Sequence, residues 1–190
     1  MKNQTSNSTI NSQNGSPLKE QLTNVTLQTS QLMQLFEDQL KDIYWAEKAM
    51  IKAIPRMIQS ATSMELIVEL SAHLEETYMH AGRLAKVFAT IRVKPTVKKC
   101  KAMEGLIIEA EEISELCQEG AMRDAGIISA AQKIEHYEIA TYGTLRQFAE
   151  TLDLTEAVRL LEATLEEEKR IDKKLSELAT YTINEEAAYQ

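Results

Sequence analysis

Several ionisable side chains of this sequence fall on or beside stripes where a soluble helix normally carries leucine. Winding the chain at 100° per residue puts Glu47 in line with Leu40, Tyr44, Ile51 and Ile54. Glu138 is centred among Ile127, Ala131, Ile134, Tyr142, Leu145 and Ala149, with Glu135 one turn earlier on the same side. Glu168 is centred among Ala157, Leu161, Leu165, Leu175 and Ala179, and Asp172 shares that face one turn later. His73 and His80 lie mid-stripe between Leu70 and Leu84, with Glu76 at the stripe's edge. A carboxylate in an apolar interior is costly unless it is paired, protonated or bound to a cation. One such residue has an ordinary reading, as the end of a salt bridge or as a hydrogen-bonded core histidine. Four helices that each carry one near mid-length point to a shared polyvalent cation, because mid-helix positions of an antiparallel bundle meet at one level.

Di-iron carboxylate bundles take a Glu from each of two helices and a Glu-x-x-His pair from each of the other two. Here Glu47 and Glu138 stand as the single carboxylates, with Glu135 as an extra one. Glu76 with His80, and Glu168 with Asp172, stand where the paired motifs belong, each pair spaced by four rather than three. Asp replaces His in the second pair. So oxygen-rich a set suits iron or manganese better than zinc in a Cys/His cage. Glu75, Glu166 and Glu167 read as a solvated, outward-facing charge run.

The elements that must position these residues follow from periodicity and caps. A first helix runs from an N-cap at Ser30 to about Ala61, with Pro55 inside it as a source of a kink near Ile51. A second follows Thr62 and Ser63 and ends near Ile91; a third spans about Asp124 to Thr151 and a fourth about Thr155 to Thr180. Each hairpin is joined by a few residues, so its helices are antiparallel neighbours. The middle connection is roughly 30 residues long, begins with the basic stretch from Arg92 to Lys99, and carries a short amphipathic helix at about 101–117. The expected fold is an all-α, ferritin-like antiparallel four-helix bundle over residues 30–180, with a long crossover that carries an extra short helix. Residues 1–29, rich in Asn, Ser, Thr and Gln, read as a disordered tail, and 181–190 as a C-terminal tail.

Composition narrows the partners. A net charge of −8 argues against nucleic acid. The two cysteines, Cys100 and Cys117, have no CxxC spacing and read as free thiols of a reducing compartment. No apolar run nears the roughly 20 residues that cross a bilayer, so no membrane partner is expected and the cytoplasm is the expected location.

Five stretches carry a resemblance to the YciF-like family of ferritin-like proteins. They are Tyr44-Trp-Ala-Glu-Lys48, His73-Leu-Glu-Glu-Thr77, Met103-Glu-Gly-Leu-Ile107, Gln132 to Ala140 with Tyr142-Gly-Thr-Leu145, and Leu165-Glu-Glu-Glu-Lys169. The resemblance covers about residues 32–180. It implies a rubrerythrin-related fold, a link to bacterial stress responses and a homodimer. It also implies metal ligation by Glu47, Glu76, Glu135, Glu138 and Glu168, completed by His80 and Asp172, and it favours His80 over His73 as the nitrogen ligand. The function expected on these grounds is a two-iron protein, with manganese as the alternative metal, acting on oxygen or peroxide as a ferroxidase or peroxide scavenger. The rival is a non-enzymatic helical stress protein whose carboxylates are held by ion pairs with buried Lys or Arg.

Overall fold

A computed structural model describes residues 30–189; the tail expected over 1–29 lies outside the described residues. Five helices build the fold: α1 (Gln31–Ser60), α2 (Met64–Thr90), α3 (Lys101–Leu116), α4 (Ala121–Thr151) and α5 (Thr155–Leu178). No strand occurs among the described residues. The starts of α1 and α2 are set by their own caps. Ser30 Oγ accepts from the Met33 amide at 3.0 Å, and Ser63 Oγ from the Leu66 amide at 3.4 Å. Pro55 sits inside α1 without ending it.

α1 and α2 form one hairpin and α4 and α5 the other; α2 packs on α5 and α1 on α4, which closes a ring of four. Ion pairs show the direction of α2 against α5. Glu69 pairs with Lys174, Glu76 with Arg170 and Arg83 with Glu167, so numbers rise on one helix as they fall on the other. The crossover returns the chain along the bundle, and α3 lies across α1 and α4. At Gly126 of α4 a Cβ would meet Ile113 Cγ2 at 2.8 Å and Cys117 Sγ at 2.9 Å, so the missing side chain is what lets α3 lie flush.

The core runs the length of the ring through Phe36, Leu40, Ile54, Leu66, Leu84, Phe88, Leu145 and Leu175. In α1, Leu40, Glu47 and Ile54 of the expected stripe are buried, Tyr44 and Ile51 are half-buried, and Ile43, Met50 and Met57 beside them are buried too. The buried face is broader than the stripe because α1 packs against three elements, α2, α3 and α4. Past Leu178 the chain does not stop. It widens into a π-helical turn, Ala179–Ile183, that buries Ile183, and ends in α6 (Asn184–Ala188), so much of the stretch read as a tail is helical and packs on α4. No helix among the described residues is long and apolar enough to cross a membrane.

One buried carboxylate has a purely structural post. Asp124, in the first turn of α4, accepts from the Thr62 amide at 2.7 Å, Thr62 Oγ1 at 2.6 Å and the Ser63 amide at 2.8 Å. It thereby latches the α1–α2 turn to the end of the crossover. Asp124→Ala is expected to lose about 2 kcal/mol of unfolding free energy, because two backbone amides and the Thr62 hydroxyl lose a charged acceptor that is itself buried. Urea denaturation checks this; a loss below about 0.5 kcal/mol, the ordinary range for a surface change, would show that the latch does not hold the turn.

Candidate metal centre

Six side chains from four helices converge at mid-bundle. α1 brings Glu47, α2 brings His73 and His80, α4 brings Glu135 and Glu138, and α5 brings Glu168. The local reason is helical phase. Glu135 and Glu138 are three apart, one turn, while His73 and His80 are seven apart, two turns, so each pair shares a face. The residues are at most 2% exposed. Their ligand-type atoms form two overlapping groups, each within 4.8 Å: His73, Glu135, Glu138 and Glu168, and Glu47, His80 and Glu168. Glu168 belongs to both.

The cluster is not satisfied by its own contacts. Among the described residues, eight buried side-chain atoms have no hydrogen-bond partner, and all eight belong to these six residues. They include both oxygens of Glu168, both ring nitrogens of His73 and one oxygen each of Glu47, Glu135 and Glu138. His80 Nδ1 lies 2.9 Å from Glu168 Oε1 and 3.6 Å from Glu47 Oε1, and His73 Nε2 lies 3.3 Å from Glu135 Oε1. These are ion-pair distances, yet the atoms are not lined up as hydrogen bonds. Tyr142, itself fully buried, donates its hydroxyl to Glu47 Oε1.

Electrostatics record the strain of this arrangement. Burial, and then the neighbouring carboxylates, push Glu135 and Glu138 well above the usual carboxyl range. Burial raises Glu47 despite the counter-pull of His80. At Glu168 burial also pushes upward, but His80 outweighs it and the net shift is downward. Burial disfavours a charged His80, yet Glu168 and Glu47 together lift it to about 11. Burial lowers His73, which favours the neutral imidazole that ligates metals.

Of the seven residues expected as ligands, five meet here: Glu47, His80, Glu135, Glu138 and Glu168. Glu76 and Asp172 do not. Glu76 is half-buried and pairs with Arg170 across the α2–α5 seam. Asp172 accepts from Gln132 at 3.2 Å and faces His136 Nε2 at 3.3 Å. A spacing of four carries it 40° around and about 6 Å along α5 from Glu168, too far for a short side chain to return. His73 joins the group in addition to His80, and the heptad spacing on one stripe is the signal that would have kept both. Glu167 is not part of a solvated run: His80 Nε2 lies 2.9 Å from Glu167 Oε2, and Arg83 grips the same carboxylate. Nothing in a single-helix projection predicts that, because Glu167 reaches sideways to a neighbouring helix.

The donor set is four carboxylates and two imidazoles, the same total as in the di-iron bundles, with both histidines here on one helix. Both cysteines lie outside the two groups. Among the described residues no Lys or Arg is buried, so the interior offers no fixed cation to neutralise the carboxylates. The unpartnered oxygens and nitrogens are of a kind that could hold a metal ion.

Comparisons with known proteins agree with the fold. Residues 31–188 match a family described as a domain of unknown function, DUF892. Protein YciF of Escherichia coli (strain K12) is 43% identical over 152 residues, which cover 78% of this chain and 90% of that protein. The crystal structure of the E. coli stress protein YciF superposes with a TM-score of 0.78 at 42% identity, covering 82% of this chain and 99% of that one. YcfI of Rhodopseudomonas palustris, described as a candidate structural protein, superposes with a TM-score of 0.74 at 42% identity over 77% of this chain and 94% of its own. A protein of Xanthomonas campestris at 19% identity and a TM-score of 0.61 shares the fold alone.

The shifts at the cluster give the metal-free protein a pH dependence of definite sign. Glu47, Glu135 and Glu138 hold protons in the folded chain at pH values where the unfolded chain, titrating near 4.5, has released them, so their contribution to stability falls as pH rises. His80, raised from 6.5 to about 11, loses its contribution in the same direction above pH 6.5. His73, lowered from 6.5, acts oppositely but only below that value. Chelator-treated protein should therefore melt at lower temperature at roughly pH 9 than at pH 7, an interval that lies inside the His80 window, with a shallower slope in His80→Gln. Calorimetry reads this out; a wild-type Tm that rises over the same interval would contradict convergent burial of the carboxylates.

Proposed function

The chain belongs to the DUF892 family, and from that membership and the buried cluster we propose that it is a ferritin-like di-metal carboxylate protein, loaded with two iron ions, that reduces oxygen or peroxide in a stress response. The observation that carries the reading is that every unpartnered buried side-chain atom among the described residues lies in one cluster fed by four helices. The stress role is brought over from E. coli YciF, which is described as a stress protein. Manganese fits the same donors, since both metals accept carboxylate-rich shells.

His73, Glu135 and Glu138 would hold one ion, Glu47 and His80 the other, with Glu168 shared between them. Iron held there would supply one-electron chemistry toward oxygen or peroxide, which no side chain of the cluster supplies alone. The protein's own work is to bind and orient. Four carboxylates offset the ions' charge, and neutral His73 is ready to ligate without first losing a proton. Tyr142 pins Oε1 of Glu47, and Oε2 is left without a hydrogen-bond partner. Ile43 and Met50, within about a turn of Glu47 on α1, and Ile134, next to Glu135 on α4, are themselves buried, so the site sits within the apolar core.

The rival reading, carboxylates held by internal Lys or Arg, lacks its required partners among the described residues. Metal analysis of protein purified without chelator should find two equivalents of iron or manganese per chain. Mixing the Fe(II)-loaded protein with oxygen or peroxide in a stopped-flow instrument should show oxidation faster than in Glu168→Ala by about 10-fold or more, the usual cost of disturbing a metal shell. Equal rates in the two proteins, or metal-free protein whose Tm ignores added iron, would return the chain to the non-enzymatic reading.

A further inference from the structure

Glu167 and Glu168 are neighbours on α5, so their side chains leave the helix about 100° apart. Glu168 enters the cluster. Glu167 passes the outer edge of the His80 ring, with Oε2 2.9 Å from Nε2. Arg83, three residues beyond His80 on α2, holds the same carboxylate with two prongs: Nη2 donates to Oε1 at 2.8 Å and Nη1 to Oε2, while Nη1 also reaches Thr164 Oγ1 at 3.3 Å. A guanidinium has donors only, so the carboxylate between it and the imidazole is an acceptor toward both. His80 Nε2 therefore carries a proton and donates it to Glu167. Nδ1 is left to face Glu168 and Glu47. His73 has no such tether, since neither of its ring nitrogens has a hydrogen-bond partner.

We propose that Glu167, clamped by Arg83, is a positioning residue: it fixes the His80 ring with Nδ1 turned into the cluster and so sets the metal affinity of the group formed by Glu47, His80 and Glu168. The effect on affinity rests on the metal-centre reading above; the effect on the ring does not. The carboxylate is a lever outside the cluster, half-buried at the seam of α2 and α5, and its partner Arg83 is equally near the surface. Both prongs are needed, because a carboxylate free to swing would let the ring turn over and present Nε2 instead. Histidine ligands generally owe their orientation to such a partner on the far nitrogen.

Two readouts separate the two halves of the claim. In metal-free protein labelled with ¹⁵N-histidine, the Nε2-bound proton of His80, assigned by its loss in His80→Gln, should exchange slowly with solvent. Glu167→Ala should speed that exchange about tenfold or more, as expected for a lost charge-assisted hydrogen bond. In titrations with Co(II) alone, Glu167→Ala should weaken one of two ions by about 10- to 100-fold and alter its absorption bands, and leave the other ion unchanged. Glu167→Gln, which preserves side-chain volume, and Arg83→Gln, which removes the two-pronged donor, should move both readouts in the same direction and serve if the alanine variant loses helical content. Unchanged proton exchange in these variants overturns the positioning role, and altered exchange with unchanged Co(II) binding overturns its effect on affinity. Wild-type protein that binds no Co(II) defeats the metal-centre reading, and the exchange data still decide what Glu167 does to the ring.

Discussion

Four carboxylates buried close together repel one another when ionised and have left bulk water, and the rest of the molecule is arranged around that cost. Burial of Glu47, Glu135, Glu138 and Glu168 is almost complete, and each would forfeit several kcal/mol if left ionised and alone. Two histidines soften the repulsion without cancelling it. The interior contains no Lys or Arg among the described residues, so the fold has left its strongest electrostatic demand to be met by something other than its own side chains.

The architecture explains how such a site is tolerated. Two hairpins, each closed by three residues, set the mid-points of four long helices at one level. Above and below that level the ring is ordinary core, from Phe36 and Leu66 to Leu145 and Leu175, and this apolar packing supplies the stability that the cluster withholds. The crossover is held at both ends of its return. Gly126 lets α3 sit against α4, and Asp124 ties the start of α4 to the first hairpin's turn. Charged residues of the seam, Glu69 with Lys174 and Glu76 with Arg170, keep to the half-exposed rim, where pairing is cheap and register is set.

Much of this is legible in the sequence because it is local. Ser30 and Ser63 announce the starts of α1 and α2, short joins imply antiparallel neighbours, and carboxylates on apolar stripes mark Glu47, Glu135, Glu138 and Glu168 for inspection. What a projection of one helix cannot give is what the next helix offers. Glu76 and Asp172 have acceptable angles, but Arg170 and His136 stand across from them. Glu167 has an outward angle, yet its long side chain meets Arg83 and His80 on α2. His73 and His80 are equivalent by phase, and only the packing shows that both face the cluster. The end of α5 is hidden for another reason: a π-helical turn resets the phase at Ala179–Ile183, so periodicity fails just where the helix continues.

The donor inventory of four carboxylates and two imidazoles has an arithmetic of its own. With the imidazoles neutral, the four negative charges would balance two divalent ions and leave a core of zero net charge, the least costly state for so buried a site. Two trivalent ions in the same place would leave a surplus of two positive charges in a low-dielectric medium. Under the proposed two-ion reading the donors would match the reduced valence, and oxidation would have to be offset by an anion, by loss of a proton at the site or by release of an ion.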